Sequence, residues 1–259
     1  MKISVVTTSL NHRDFLELTA ASVLSQNGDF ELEWVVVDGG STDGTVEFLE
    51  GLQDPRIVWA SEPDRGQTHA LQKGMGRATG DVIGWLNSDD LYLPEALATV
   101  AAEFADHAEA DWLIGRAAII DVEGREIRRW ITRYKDRVLA GYQYKRLLRE
   151  NFINYNGVFW RRRLIKAVGP LDESLGYNMD FELWLRFGGH SDPLVISAVL
   201  GQFRLYDTSK SGDFNREQFD EQYRVACRHR EHSRFNRLLH RLNVEKTVFT
   251  YRMMRLLGS

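Results

Sequence analysis

The chain has 259 residues, of which 43% are hydrophobic and 27% charged, with 21 Gly, 5 Pro and one Cys. A chain of this length and composition is globular with a sizeable core, and disordered, collagen-like and disulfide-stapled classes are excluded. The formal net charge of −4 argues against a protein that coats nucleic acid through bulk electrostatics.

The first hundred residues alternate short apolar runs with segments of helical spacing. Strands are predicted at residues 3–6, 32–37, 56–60 and 82–86, and helices at residues 15–24, 42–52 and 66–78. Strands and helices that alternate at this pitch indicate an α/β fold, with a mostly parallel sheet that has helices on both faces.

Polar residues follow three of the predicted strands, at the point where each strand ends. They occupy residues 7–11, 38–44 and 87–90. Open parallel sheets bind ligands beyond the carboxyl ends of their strands. We therefore expect these three segments to offer hydroxyl and carboxylate groups to a single cleft.

After about residue 108 the pattern becomes mixed. Strands are predicted at residues 112–121, 126–132, 155–160 and 194–206, and helices at residues 179–187 and twice more from about residue 215. The chain is best described as one domain with an appended helical tail. We place the domain at residues 1–210, with a first half at 1–107 and a second half at 108–210, and the tail at 211–259.

The strongest local signal is the pair of adjacent carboxylates, Asp89 and Asp90, at the tip of the fourth strand. Two close negative charges at the end of a buried strand are costly unless a cation or hydrogen-bond donors compensate. Mg²⁺ or Mn²⁺, which prefers oxygen ligands, is the expected compensator. The alternative is that the two aspartates cap a helix that begins near Pro94.

Two further segments offer groups for a ligand. Asp38 is followed by a glycine-containing turn at residues 39–44, in which backbone can approach a ligand closely, although Asp43 there is equally suited to cap a helix. Arg65 precedes a predicted helix, and a helix amino terminus beside an arginine suits an anionic phosphate.

Taken together, these motifs resemble the inverting glycosyltransferases of family 2, which have the GT-A fold. The resemblance rests on residues 3–11, 35–45, 80–90, 168–173 and 179–186 and covers roughly residues 1–210. It implies a Rossmann-like sheet flanked by helices, and transfer of a sugar from a UDP, GDP or dTDP donor to a hydroxyl of a glycan or a lipid-linked acceptor. Surface polysaccharide biosynthesis is the expected setting.

The resemblance also assigns roles to residues of the first half. It implies that Thr7, Ser9 and Asp38 contact the base and ribose of the donor. Asp89 would bind the Mg²⁺ or Mn²⁺ that bridges the diphosphate, with Asp90 beside it on the metal or the sugar. The remaining residues expected to contact the nucleotide sugar are Asn11, Arg65, Asn87 and Ser88.

An acceptor hydroxyl needs a base, and the resemblance places Asp180 at that position. A carboxylate within hydrogen-bonding reach of the acceptor is competent for this role. Glu182 is the near rival, but two residues further along a helix it should point elsewhere. Trp184, close to the proposed base, is a candidate to stack on the acceptor, with Glu182 as a second candidate contact.

The sequence departs from the family pattern at several positions. Asn87 stands where an acidic residue is usual, Thr8 where proline is frequent, Gly39 where a second aspartate is often found, and Tyr206 where histidine is common. Asn87 and Tyr206 keep open a second hypothesis, a catalytically silent nucleotide-sugar-binding or scaffold protein. A nucleotide-dependent oxidoreductase ranks last, because no Gly-x-Gly-x-x-Gly motif follows the first strand.

The last part of the chain is basic. Residues 222–259 contain nine Lys or Arg against two Glu, interleaved with apolar residues at helical spacing. Such a helix either lies on anionic lipid or packs its apolar residues on the domain, and both readings stay open. No secretory signal or run of 18 apolar residues is visible, so we expect a cytoplasmic protein, with peripheral contact at the inner face of the membrane, and no nucleic-acid partner.

Overall fold

The computed structural model describes residues 1–206, 209, 216–229, 231 and 233–257, with the side chains of residues 251, 252 and 254–257 left out of that description. Within these ranges the strands are β1 (Lys2–Ser9), β2 (Glu31–Asp38), β3 (Ile57–Ser61), β4 (Val82–Trp85), β5 (Leu91–Tyr92), β6 (Trp112–Ile120), β7 (Val158–Arg161) and β8 (Leu194–Arg204). The helices are α1 (Arg13–Leu24), α2 (Thr45–Gly51), α3 (Gln67–Arg77), α4 (Ala96–Asp106), α5 (Arg129–Ala140), α6 (Tyr144–Leu147), α7 (Arg162–Val168), α8 (Met179–His190), α9 (Arg216–Cys227) and α10 (Arg234–Leu257).

The strands of the described residues form one sheet in the order β3-β2-β1-β4-β7-β6-β8-β5. The first four strands of this order are parallel to one another, as the alternation of strands and helices predicts. Strand β7 then joins β4 and β6 in antiparallel fashion, while β6 and β8 are parallel. The carboxyl ends of β1, β2, β3 and β4 therefore lie along one edge, where the candidate site is found.

The apolar runs are continuous because both faces of the sheet are covered by helices. Along β1, Ile3 and Val5 pack on the face of α1 and α4, whereas Val6 packs on the opposite face. On that opposite face the second half of the chain adds a cluster of buried aromatic rings, which consists of Trp112, Trp160, Trp184 and Phe187.

The predicted strand at residues 126–132 is wrong. Only an isolated bridge joins Ile120 to Glu126, and the chain turns at Arg128, whose φ is +51°, into helix α5. Thr132, Val138 and Leu139 are the buried residues of this helix. The run of residues 126–132 is too short to distinguish strand from helix, and its helical spacing emerges only when it is followed on to Ala140.

The two terminal helices predicted from about residue 215 are present as α9 and α10 over their described residues. Val244 and Val248 of α10 are buried, so one face of this helix packs on the rest of the chain. Part of the predicted tail, and of the segment before it, lies outside the described residues, namely residues 207, 208, 210–215, 230, 232, 258 and 259. The division of the chain at residue 210 stays a prediction.

Candidate active site

The two adjacent aspartates have different environments. Asp90 is buried, where its carboxylate accepts a hydrogen bond from the backbone amide of Arg204 at 2.8 Å and another from the Tyr155 hydroxyl. Asp89 faces the cleft and accepts a hydrogen bond from the Tyr206 hydroxyl at 3.0 Å. The alternative role as helix caps is not realised, because α4 begins at Ala96 without a side-chain cap.

This pair of carboxylates is short of positive charge. Burial raises the pKa of Asp90 well above its usual range, and the charge of Asp89 raises it further. Burial also raises the pKa of Asp89, against the charge of His12 and the hydrogen bond from Tyr206. The Arg204 guanidinium donates to backbone carbonyls, including that of Asp89, and the described residues contain no salt bridge to either aspartate.

The donor set suits a cation that is shared with a ligand. Asp89 supplies a cleft-facing carboxylate, and the described residues contain no cluster of three His, Cys, Asp or Glu able to hold a metal alone. Mg²⁺ and Mn²⁺ are commonly held by one or two carboxylates, with phosphate and water at the remaining positions. Asp89 therefore fits a metal–diphosphate complex, and the described residues do not form a protein-only metal cage.

The cleft beyond the strand ends has a volume of about 350 Å³. It brings together Ser9, Asn87, Ser88, Asp89 and Asp180 from the predicted set. The predicted residues that are absent from its walls are Thr7, Asn11, Asp38, Arg65, Asp90, Glu182 and Trp184.

Asn87 connects several side chains beneath the cleft. Its Oδ1 accepts hydrogen bonds from Trp85 Nε1 at 2.8 Å and from Gln67 Nε2 at 3.0 Å, and its Nδ2 donates to the Tyr155 hydroxyl at 2.7 Å. An amide can accept and donate at once, whereas a carboxylate only accepts. The amide of Asn87 can therefore form all three of these hydrogen bonds, whereas a carboxylate at this position could not donate to Tyr155.

Alternation along β1 decides which hydroxyl reaches the cleft. Thr7 is fully buried on the core face, where its Oγ1 accepts a hydrogen bond from Trp34 Nε1 at 2.9 Å. Thr8, its neighbour, lines the cleft instead, because successive side chains of a strand point to opposite faces. The expectation for Thr7 is thus corrected to Thr8. Ser9 also lines the cleft, where β1 ends.

Asp38 organises the loop after β2. Its carboxylate accepts hydrogen bonds from the backbone amides of Gly40 and Ser41 and from the hydroxyls of Ser41 and Ser61, at 2.5–3.0 Å. Three of these donors bond Oδ2, and Oδ1 accepts only from the Ser41 hydroxyl. In this arrangement the buried Asp38 holds the loop after β2 and is absent from the cleft walls, and its contact with a nucleobase stays a prediction.

Asn11 and Arg65 also differ from expectation. Asn11 ties two loops together, because its Oδ1 accepts a hydrogen bond from the Thr42 amide at 2.9 Å. Arg65 is exposed, pairs with Glu173 at 2.5 Å and is absent from the cleft walls. A surface arginine with a carboxylate partner is a poor anchor for a phosphate.

Asp180, the second residue of α8, lies where the cleft meets a neighbouring chamber of about 380 Å³. Asn151 Nδ2 donates to its carboxylate at 3.3 Å. Lys135 lines the same chamber; burial lowers the pKa of its amine, while the charges of Asp180 and Glu150 act to raise it. The proposed base is therefore in contact with both cavities.

The two acceptor candidates on α8 are corrected by the structure. Trp184 is fully buried and packs against Trp112 and Trp160 with ring centroids 6.3 and 5.9 Å apart. Glu182 pairs with Arg186, whose guanidinium also donates to two backbone carbonyls. Both residues are buried and absent from the cleft walls, so neither contacts an acceptor there.

Several cleft residues were missed from the sequence. Tyr155 stacks on Trp85 with ring centroids 4.5 Å apart. The Nδ1 atom of His12 forms a hydrogen bond of 2.9 Å with Ser88 Oγ. Asp64 and Gln67 also line the cleft. Asp64 could have been predicted, because it follows the predicted strand at residues 56–60. Tyr155 comes from the second half of the chain, where no local motif marks it.

Comparisons with known proteins show the family of this chain. The family model described as "Glycosyl transferase family 2" matches residues 4–169. A PGL/p-HBAD biosynthesis glycosyltransferase of Mycobacterium bovis is 33% identical over 204 residues, covering 76% of this chain and 73% of the relative. An uncharacterised glycosyltransferase of Mycobacterium tuberculosis is 29% identical, covering 78% and 74%.

Solved structures show the same fold. TarS of S. aureus (residues 1–349, in complex with UDP-GlcNAc) has a TM-score of 0.68 at 19% identity, and the match covers 88% of this chain and 66% of that one. The mannosyltransferase PcManGT of Pyrobaculum calidifontis, in complex with GDP-Man and Mn²⁺, has a TM-score of 0.64 at 18% identity, covering 88% and 64%. The chain thus spans about two thirds of these solved chains. The predicted GT-A fold is confirmed.

Proposed function

Because the chain belongs to glycosyl transferase family 2, we propose that this glycosyltransferase moves a sugar from a nucleoside diphosphate donor to an acceptor hydroxyl with inversion at the anomeric carbon. The observation that carries the proposal is the cleft that joins Asp89 at one strand end to Asp180 at the start of α8. One carboxylate suits the diphosphate end of the donor, and the other suits the acceptor.

The donor would lie along the strand ends. Thr8, Ser9 and Ser88 offer hydroxyls there, and the Ser9 Oγ is buried without a hydrogen-bond partner among the described residues. Asp89 would hold Mg²⁺ or Mn²⁺, which when bound would neutralise the charge that develops on the leaving diphosphate. Asp90 would stay beneath it as a structural carboxylate, held by Tyr155.

Asp180 would accept the proton of the acceptor hydroxyl as that oxygen attacks the anomeric carbon. Attack from the side opposite the leaving diphosphate inverts the configuration, and one base is sufficient for this step. Asn151 donates to one carboxylate oxygen of Asp180 and so orients the side chain. The Lys135 amine lies in the chamber beside Asp180, and the charge of Asp180 acts to raise the pKa of that amine against the effect of burial.

The acceptor would enter through the chamber beyond Asp180. Its walls combine apolar side chains with the cations of Lys135 and Lys246, and the helices α5, α9 and α10 contribute to it. The apolar residues are Ile119, Trp130, Ile131, Ile153, Phe203, Leu205, Phe219 and Val244. A wall of this kind suits an amphiphilic acceptor, in line with glycolipid or polysaccharide biosynthesis and with the name of the Mycobacterium bovis relative.

The outer face of α10 would bring the enzyme to a membrane surface. Its exposed apolar residues recur at helical spacing and form a stripe, hereafter the α10 stripe, which consists of Phe235, Leu238, Leu242, Phe249 and Met253. The exposed basic residues Arg234, Arg241 and Lys246 flank it. Apolar residues bordered by cations fit an anionic lipid surface. Among the described residues, none of the helices combines the length and apolar character that crossing a bilayer requires.

Vesicle sedimentation tests the membrane part of the proposal. Vesicles of phosphatidylglycerol and phosphatidylcholine should bind the protein, and Leu238→Ser with Leu242→Ser should release it, because the stripe loses apolar area. Leu18→Ser, which changes an exposed leucine on α1, serves as the matched control. Lipid binding through this stripe would be contradicted if the wild type sedimented equally with vesicles of pure phosphatidylcholine. It would also be contradicted if the double variant sedimented as well as the wild type.

Donor turnover tests the catalytic part. Release of nucleoside diphosphate is measured with UDP-glucose, GDP-mannose and dTDP-rhamnose in the presence of Mn²⁺, and the configuration of the product is read by NMR. Loss of a general base in Asp180→Asn should lower turnover by about 10²–10⁴-fold. The control is Asp192→Asn, an exposed carboxylate just beyond α8. A retained configuration, or full turnover in Asp180→Asn, would contradict the proposed mechanism.

A further inference from the structure

One side of helix α5 combines two aromatic rings with two arginines. These four residues, hereafter the α5 face, lie at positions i, i+3, i+4 and i+7 of the helix and are Trp130, Arg133, Tyr134 and Arg137. All four side chains are exposed, with 56% of Trp130 and 43% of Tyr134 accessible to solvent. Large rings that stay this exposed beside cations indicate a surface that meets a partner.

The two arginines of the α5 face carry charge that the protein does not balance. Among the residues that the structure describes, neither Arg133 nor Arg137 has a salt bridge or a side-chain hydrogen bond. Helix α5 contains four basic residues and one acidic residue, Asp136, and that carboxylate pairs with Arg116. The free cations therefore favour a negatively charged partner.

The two aromatic residues suit a boundary between water and an apolar phase. The Tyr134 hydroxyl donates a hydrogen bond to Glu150 at 2.9 Å and accepts one from Arg146 at 3.4 Å, so its polar end is held while its ring stays exposed. Trp and Tyr are enriched at membrane interfaces, because one end of the side chain is apolar and the other is polar. Beside free arginines, such rings match the headgroup region of an anionic lipid surface.

The α5 face and the α10 stripe border the same chamber. Trp130 and Tyr134 line it from α5, and Lys246, which flanks the α10 stripe, lines it from α10. All three residues are exposed, so they mark where the chamber reaches the surface of the protein. A membrane that contacts both helices would therefore cover the opening of the chamber that leads to Asp180.

We propose that the α5 face is a second membrane contact, which binds anionic phospholipid headgroups and, with the α10 stripe, directs the opening of the acceptor chamber toward the bilayer. This inference rests on the proposed function and deepens it, because the acceptor then reaches Asp180 from the lipid surface and not from bulk water. Arg133 and Arg137 pair with lipid phosphates, and the rings of Trp130 and Tyr134 lie among the headgroups.

Tryptophan fluorescence tests the position of the α5 face on the membrane. The seven tryptophans comprise one exposed residue, Trp130, one half-buried residue, Trp59, and the fully buried Trp34, Trp85, Trp112, Trp160 and Trp184. Vesicles of phosphatidylglycerol and brominated phosphatidylcholine should quench the emission of the full chain, because bromine quenches only nearby rings. Most of this quenching should be lost in Trp130→Phe and kept in the matched control Trp59→Phe.

A charge variant tests the arginines by a separate measurement. Arg133→Gln with Arg137→Gln should weaken binding to phosphatidylglycerol vesicles about 30-fold, which is the contribution of two basic residues near an anionic surface. The matched control is Arg163→Gln with Lys166→Gln, which removes two exposed cations from α7 and should keep the affinity of the wild type. Thermal melting verifies that every variant is folded.

The outcomes separate the inference from the function on which it rests. Vesicle binding by the wild type without quenching of Trp130, or with equal affinity in the arginine variant, would overturn the inference alone. Self-association without lipid that Trp130→Phe abolishes would also overturn it, because the face would then bind a second copy of this chain. Failure of the folded wild type to bind anionic vesicles would overturn the membrane part of the proposed function as well.

Discussion

The Glu221 carboxylate accepts hydrogen bonds of 2.7 and 2.9 Å from the backbone and side-chain amides of Asn178, two residues before the proposed base Asp180. It also accepts from the backbone amides of Gly176 and Tyr177, each at 2.8 Å. Helix α9 therefore fixes the loop that leads into α8. The tail predicted from the sequence as an appendage contributes to the geometry of the base.

Glu221→Gln should lower kcat about tenfold while donor affinity stays unchanged, because misplacing a catalytic group slows the chemical step without removing a donor contact. A glutamine amide cannot accept all four hydrogen bonds, so the loop is held less firmly. Steady-state kinetics at varied donor concentration measures the effect, with Asp220→Asn on the exposed face of α9 as the control. An equal loss of donor affinity would contradict a positioning role.

Asn87→Asp should lower the melting temperature in EDTA, with a loss of about 1–3 kcal/mol in the free energy of unfolding. The new carboxylate would face the Tyr155 hydroxyl, which already donates to Asp90, and would add a third negative charge to the site. Mn²⁺ with the bound nucleotide should recover part of the loss. Asn27→Asp, on an exposed loop, controls for added charge; equal melting of the Asn87 variant and wild type in EDTA would refute the prediction.

Trp184→Phe should destabilise the protein but leave the KM for the acceptor unchanged, because the ring is a core residue. Trp184→Ala removes a fully buried ring and should cost about 3–5 kcal/mol in the free energy of unfolding. Denaturant unfolding measures the loss of stability in both variants. Steady-state kinetics of Trp184→Phe measures its KM for the acceptor. A raised acceptor KM in a stable Phe variant would restore Trp184 as an acceptor contact.

Glu33 should make stability depend on pH. Burial acts to raise the pKa of Glu33, but hydrogen bonds from Ser4 and Thr79, with Lys2 close by, outweigh burial and lower the pKa to about 2. A folded-state pKa below the unfolded value of 4.5 stabilises the fold above pH 4.5, and this contribution is lost as the pH falls toward 2.

Urea unfolding of Glu33→Gln across this pH range provides the measurement. The variant should be less stable than wild type by about 2 kcal/mol near neutral pH, and the difference should shrink as the pH falls. Glu31→Gln, at an exposed neighbouring site, is the control. A difference that grows toward low pH would have the wrong sign for a depressed pKa.

The first half of the fold could be predicted because its periodicity is unambiguous. Buried strands such as β1 and β2 are short apolar runs that end in polar loops, and the site follows from the ends of those strands. The strand predicted at residues 126–132 failed where a short run fits both periods, and its true class is decided by residues further along α5.

Within the site, the sequence indicates residue types but not their directions. Thr7 and Thr8 are chemically identical, and only the pleat of β1 decides which of them reaches the cleft. Asp38 and Asp64 are both loop carboxylates, and only the three-dimensional arrangement shows that Asp64 lines the cleft while Asp38 is buried beneath the loop after β2. Trp184 is close to Asp180 along the chain, yet the turn of α8 directs its ring into the core.

Calorimetric titration of UDP, GDP and dTDP, with and without Mn²⁺, tests the central claim most directly when wild type is compared with Asp89→Ala and Asp180→Asn. One nucleotide should bind only with the metal, Asp89→Ala should abolish this binding, and Asp180→Asn should preserve it. Sugar transfer by Asp180→Asn, measured separately as release of nucleoside diphosphate, should fall by about 10²–10⁴-fold. Metal-independent binding that survives in Asp89→Ala, or no binding to the folded wild type, would contradict a donor site at Asp89.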